Sequence, residues 1–151
     1  MCGIVGIVSN KSVSSSIIGA LKKLEYRGYD SAGIATITKN HIEAIHVIED
    51  IDTLFHATQK LSAMELAIAH TRWATHGKVT VENAHPHIAG DRIALVHNGI
   101  IENHNELKQT LLNDTNICWR STTDSEVIAQ LIYQTAQTNT IETAIIESVK
   151  L

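Results

Sequence analysis

The chain has 151 residues, 44% of them hydrophobic and 19% charged, with a formal net charge of -4. That is one domain's worth of soluble, globular chain, and its negative balance offers no electrostatic footprint for nucleic acid or an anionic membrane. No apolar run approaches the roughly 20 residues of a transmembrane helix, and the start lacks a signal peptide's charged and apolar regions, so a cytoplasmic location is expected.

Gly3 to Val8 is a short apolar run, expected as a buried strand with Cys2 at its leading end. Ser12 to Ser16 supply helix-starting hydroxyls, and Ile17, Ile18, Leu21 and Leu24 mark one face of a helix that stops near Arg27-Gly28. Tyr29-Asp30-Ser31 is turn chemistry. Gly33 to Thr38 and His41 to Val47 read as two strands joined in a hairpin at Lys39-Asn40. Asp50 to Leu61 reads as a helix with Leu54, Phe55 and Ala57 inward, and Leu66 to Thr71 as a further strand. From Arg72 to Gly90 no period holds; Gly77, Pro86 and Gly90 punctuate a long polar loop carrying His76, His85 and His87. A loop of that length in a compact domain is usually functional. Ile93 to Val96 is strand again, broken at Asn98-Gly99. Glu102 to Leu112, Thr123 to Gln137 and Thr140 to Leu151 read as helices. The second has Val127, Ile128, Leu131 and Ile132 on its apolar side, and the third carries Ile141, Ala144, Ile145 and Val149 on one stripe. That last helix meets no Gly or Asn cap, so the chain reads as cut off before its fold is finished.

Two cysteines, Cys2 and Cys118, give neither a disulfide framework nor metal-ligand spacing. Trimming of Met1 would leave Cys2 with two reactive groups on one residue: a thiol, the most nucleophilic side chain, and an α-amine of pKa about 8, partly neutral and able to take a proton. Read alone, Cys2 is an ordinary small apolar residue, Asn98-Gly99 a tight turn, Arg72 a solvated surface charge and Asp124 a helix N-cap. Cys118, beside Trp119, reads as a packed thiol. Nine histidines invite a metal, with His85-x-His87 and His70/His76 as candidate ligands. No Cys or carboxylate falls at ligand spacing with them, so no metal is expected.

Four stretches change the weighting. Cys2-Gly3-Ile4-Val5-Gly6, Tyr26-Arg27-Gly28-Tyr29-Asp30-Ser31-Ala32-Gly33, His70-Thr71-Arg72-Trp73-Ala74-Thr75-His76-Gly77 and Val96-His97-Asn98-Gly99-Ile100-Ile101-Glu102-Asn103 follow in the order and spacing of the class II glutamine amidotransferases. Within that group the chain resembles the glutaminase domain of the glutamine:fructose-6-phosphate aminotransferases from Met1 to about Leu151. The likeness is weakest between Glu49 and Leu66, and an amidophosphoribosyltransferase-type glutaminase is the neighbouring alternative.

The resemblance implies an α+β fold of the N-terminal nucleophile (Ntn) hydrolase type, a four-layer α/β/β/α sandwich of antiparallel sheets lacking its C-terminal part. It implies Cys2 as nucleophile, with the Asn98 amide and Gly99 N–H as oxyanion donors. L-Glutamine would be held by Arg72, Thr75 and His76 at its α-carboxylate and by Asp124 at its α-ammonium, with Trp73 on the closing loop. Arg27, His85 and His97 would support these groups. No cofactor is implied. The family partner is a sugar-phosphate isomerase domain, absent from this chain; the oligomeric state stays open, a homodimer being one option. Two readings from other classes are an inactive remnant that folds on a partner and a histidine-rich metal-binding module.

Overall fold

The computed structural model describes residues 2–61, 64–74, 78–112 and 117–151. Its first half is a four-stranded antiparallel sheet in the order β1-β4-β2-β3, built from β1 (Gly3–Val8), β2 (Ser31–Thr38), β3 (His41–Val47) and β4 (Leu66–Arg72). The hairpin turn falls at Lys39-Asn40, both with positive φ (49° and 66°), as a tight two-residue connection between right-twisted strands requires. Two helices, α1 (Ser14–Lys22) and α2 (Ile51–Thr58), cover one face of this sheet. The Asp50 carboxylate caps α2 by accepting from Thr53 N–H at 2.7 Å.

Strand alternation decides what each face does. Ala67, Ala69, Ala32 and Ile34 point to the helices and join Ile17, Ile18, Leu21, Val13, Val47, Ile51, Leu54 and Met64 in one dry core. Small residues on the strands let the helices sit close, and the large aliphatics of α1 fill the space. On the opposite face Ile68, His70 and Arg72 look toward the second half of the molecule.

That half begins with β5 (His87–Ala89) and β6 (Ile93–Leu95), a two-stranded antiparallel sheet backed by α4 (Asp124–Thr135). Helices α3 (His104–Leu111) and α5 (Ile141–Val149) pack on α4. The sheets approach closely at Gly33: a Cβ there would lie 2.2 Å from the His85 carbonyl oxygen. The order helices, sheet, sheet, helices is the expected four-layer α/β/β/α sandwich. Among the described residues no helix is long and apolar enough to cross a membrane.

Three expectations need correction. The stretch from Arg72 to Gly90 is not all polar loop, because Asn83 to His87 are buried and β5 follows directly; a three-residue strand carrying a histidine shows no readable alternation. In α5 the buried residues are Ala144 and Ser148, while Ile141, Ile145 and Val149 of the expected apolar stripe are exposed. Ile141 and Ile145 instead line an open apolar groove of about 290 Å³ with Ala35, Ile37, Ile68 and Ile132. Cys118 is exposed rather than packed; its neighbour Trp119 is the partly buried one, with the Lys108 ammonium 4.4 Å over its ring.

Candidate functional site

A small cavity of about 60 Å³ opens where the polar end of β4 meets the turn after β6 and the start of α4. Its walls include Cys2, Arg72, Trp73, Asn98, Gly99 and Asp124. Six residues scattered over most of the chain thus share one space. The larger apolar groove holds no nucleophile or ionisable group apart from Arg92.

Strand β4 places the first group. It lies between β1 and β2, with Gly3 opposite Thr71 on one side and Ser31 opposite Arg72 on the other. Asp30 N–H donates to the Arg72 carbonyl at 2.8 Å, and the Asp30 carboxylate accepts from Ala74 N–H, so the chain leaving the strand is tied on two sides. Cys2, one residue before β1, reaches the same place. Its sulfur accepts from Trp73 N–H at 3.3 Å and its thiol donates to the Trp73 carbonyl at 3.7 Å. The Trp73 indole packs over Gly28 and is half-exposed at the cavity mouth.

Arg72 is only 6% exposed, which rejects the reading of a solvated surface charge. Its Nη1 donates to the Lys78 carbonyl at 3.4 Å, and Asn83 Nδ2 donates to that same carbonyl at 2.9 Å. Asn83 Oδ1 accepts in turn from Thr122 N–H at 2.9 Å. This buried asparagine therefore links the arginine's surroundings to the turn before α4, a role no motif disclosed.

The second group sits on the facing layer. Asn98-Gly99 is a turn, and Gly99 has a φ of 146° with the His97 ring 2.9 Å from where a Cβ would stand; a side chain would be both strained and blocked. Asp124 is the first residue of α4 rather than its cap, the extended Thr123 taking that place. Its Oδ2 accepts from Ile101 N–H at 2.7 Å and its Oδ1 from Ser125 N–H at 2.9 Å. The carboxylate thereby holds the 98–101 turn against the helix and keeps lone pairs toward the cavity. Glu126 supports the same corner. Fully buried, it accepts from Arg120 N–H, Ser121 N–H and Ser121 Oγ at 2.7–2.8 Å. The carboxylate reaches past the Thr123 cap to Arg120 and Ser121, three and two positions before it.

Histidines fill the space between the layers. His70 stacks on His85 with ring centroids 4.3 Å apart, and His85 meets His87 edge-on at 4.4 Å. His97 N–H donates to His85 Nδ1 at 3.3 Å, and the His97 ring lies 3.1 Å from Ser125 Oγ. His87 Nε2 bonds Thr123 Oγ1 at 2.8 Å. Burial lowers the pKa of His70 to about 4 and of His87 to about 3, and lowers that of His85 further. Among the described residues no group of three or more His, Cys, Asp or Glu is arranged to hold a metal ion.

His85 and His97 line the cavity, whereas Arg27, in a 3-10 turn over Glu25–Arg27, does not. Thr75 and His76 lie outside the described residues, as does Met1.

Three comparisons bear on this site. Residues 55–144 match the family model described as the glutamine amidotransferase domain. The glutamine–fructose-6-phosphate aminotransferase (isomerizing) of Legionella pneumophila is 48% identical over 135 residues, covering 88% of this chain and 22% of its own. The Pseudomonas putida enzyme of the same name is 49% identical over 137 residues, with 89% and 22% covered. The chain thus spans about a fifth of the length of these relatives. Among solved structures, the glutamine phosphoribosylpyrophosphate amidotransferase of B. subtilis superposes with a TM-score of 0.78 at 27% identity, covering 99% of this chain and 32% of that one. A structure titled the allosteric regulatory enzyme of purine biosynthesis gives 0.80 at 28%, covering 99% and 33%.

Proposed function

Because the chain belongs to the glutamine amidotransferase domain family, we propose that it hydrolyses the side-chain amide of L-glutamine to glutamate and ammonia, with Cys2 as the nucleophile. The observation that carries this is the meeting of the Cys2 sulfur, a buried cation, a carboxylate and an Asn-Gly turn in one cavity.

Glutamine is a zwitterion with a neutral amide. Arg72 pairs with its α-carboxylate and Asp124 with its α-ammonium, and two fixed opposite charges set which way the side chain points. Thr75 and His76 assist at the carboxylate. The Cys2 thiol gives its proton to the α-amine freed by removal of Met1, and the sulfur attacks the amide carbon. The C=O electron pair moves onto oxygen, where the Asn98 amide and the Gly99 N–H stabilise it. The oxyanion collapses, the C–N bond breaks, and the amine's proton leaves with nitrogen as ammonia. Water adds to the γ-glutamyl thioester through the same oxyanion and releases glutamate and the thiol. Trp73 at the mouth limits stray water, while His85 and His97 hold the turn and Arg27 braces the Cys2 segment from behind. No step calls for a metal or organic cofactor.

The higher identity to the fructose-6-phosphate aminotransferases favours an amino-sugar setting over the phosphoribosyl one. In that setting the ammonia passes to a sugar phosphate bound by an isomerase domain outside these 151 residues.

Intact-mass analysis with a diazo-oxo-norleucine electrophile, alongside glutamate release, tests the reading. One adduct per chain at Cys2, its loss in Cys2→Ala, and glutamate release abolished in that variant are the expected results. A folded protein that neither labels nor releases glutamate overturns the reading and leaves the inactive-remnant alternative.

A further inference from the structure

We propose that His70 is a positioning residue for the oxyanion site: its ring donates through Nε2–H to Asn98 Oδ1, fixing the amide so that only Nδ2–H₂ faces the thiol. This rests on the reading of Asn98 as an oxyanion donor.

An asparagine amide can turn over with almost no change of shape, and the two orientations have opposite consequences. With Nδ2 inward, an N–H meets the developing negative oxygen; with Oδ1 inward, a lone pair repels it. Burial does not make that choice here, because Asn98 sits on an exposed turn. Its carboxamide oxygen lies 2.8 Å from His70 Nε2. His70 is well suited to decide the orientation. It is 1% exposed, its backbone pairs with Ile4 on one side and Gly33 on the other, and its ring is clamped on His85.

The tautomer follows from the neighbours. The His97 main-chain carbonyl bears on the same ring as a second acceptor, and a carbonyl cannot turn round to donate. Ring atom Nδ1 meets no partner. The proton therefore belongs on Nε2, facing the Asn98 oxygen. Burial also keeps the ring neutral through the physiological range, so the donor does not change with cellular pH. The sequence motif carries the histidine two residues before Arg72, on the same face of β4, so one strand both grips the substrate and sets the amide on the facing turn.

The test compares His70→Phe, which keeps a ring and loses the donor, with His70→Gln, whose amide nitrogen can stand near the place of Nε2. His70→Phe should lower kcat for glutamate release about 100-fold, the effect of one oxyanion donor, with KM within about threefold of wild type. His70→Gln should recover most of kcat. His70→Phe combined with Asn98→Ala should be no slower than Asn98→Ala alone. Alkylation of Cys2 by iodoacetamide, which needs no oxyanion site, should proceed at the wild-type rate in each folded variant. An unchanged kcat in His70→Phe, a KM effect as large as the kcat effect, or a His70→Gln as slow as His70→Phe overturns the proposal. Ring ¹⁵N shifts of His70 in the wild-type protein supply an answer without any variant: an Nε2–H tautomer from pH 5.5 to 8 is expected, and an Nδ1–H tautomer overturns it. That measurement needs no glutamine, so a failure of the glutaminase reading is told apart from a failure of this one.

Discussion

The two halves of the molecule are held together by different means. The half built on β1 to β4 has a continuous dry core in which Ile17, Leu21, Ile34, Ile51 and Leu54 are fully buried. The half built on β5, β6 and α3 to α5 has a smaller apolar cluster around Leu107, Leu111, Val127 and Leu131, and leaves an apolar groove open. Polar bonds take over there: Glu126 ties the turn before α4, Asp124 ties the 98–101 turn, and Asn83 joins the Lys78 carbonyl to the turn before α4. The cavity lies on the seam, with Cys2 and Arg72 on the apolar half and Asn98, Gly99 and Asp124 on the hydrogen-bonded half. A reaction that needs both sets of groups depends on two kinds of stability at once.

The sharpest way to break that contrast is to remove core volume on each side. Ile34→Ala should cost about 2–5 kcal/mol in urea unfolding, and Leu131→Ala, at the edge of the smaller cluster, about half as much. Equal losses would show that the halves are packed alike. Glu126→Ala should cost about 2–3 kcal/mol, because two backbone N–H groups and a hydroxyl lose a charged acceptor. Glutamine KM should rise with it, since the corner it staples carries Asp124; an unaltered KM would detach the corner from the site.

Acid should act on the seam. His70 and His87 titrate near 6.5 when unfolded but near 4 and 3 when folded, so below pH 6.5 the unfolded chain binds more protons. Stability should therefore be full above pH 7 and fall with pH between about 6.5 and 4, by about 1.4 kcal/mol per pH unit for each such histidine. Urea midpoints across that range check the slope. The smallest effect belongs to Ile145→Asp, at an exposed position of α5. It should change stability by less than about 0.5 kcal/mol.

How far the sequence could be read follows from the range of each signal. The Lys39-Asn40 hairpin, the strands of the first half and the helix cores rest on local spacing, and the structure has them. The four-layer sandwich came from motif resemblance, not from periodicity. β5 was missed because three residues carry no period. The α5 stripe is legible as a helix face, but periodicity does not show what meets that face. At the site, Cys2, Arg72, Asn98, Gly99 and Asp124 were named in advance and line one cavity. Glu126, Asn83 and His70 were not credited, since each acts through a partner 5 to 39 positions away that no local pattern marks.

Strand β4 also limits how this stretch can change over evolutionary time. Ala67, Ala69 and Thr71 alternate with Ile68, His70 and Arg72, and β1 and β2 pair on both flanks. Adding or deleting a single codon between 66 and 72 would turn polar side chains such as Arg72 into the greasy interior and push alanines toward the cavity. Across these seven codons a replacement keeps every neighbour on its own face, whereas an insertion or a loss exchanges the two faces beyond it.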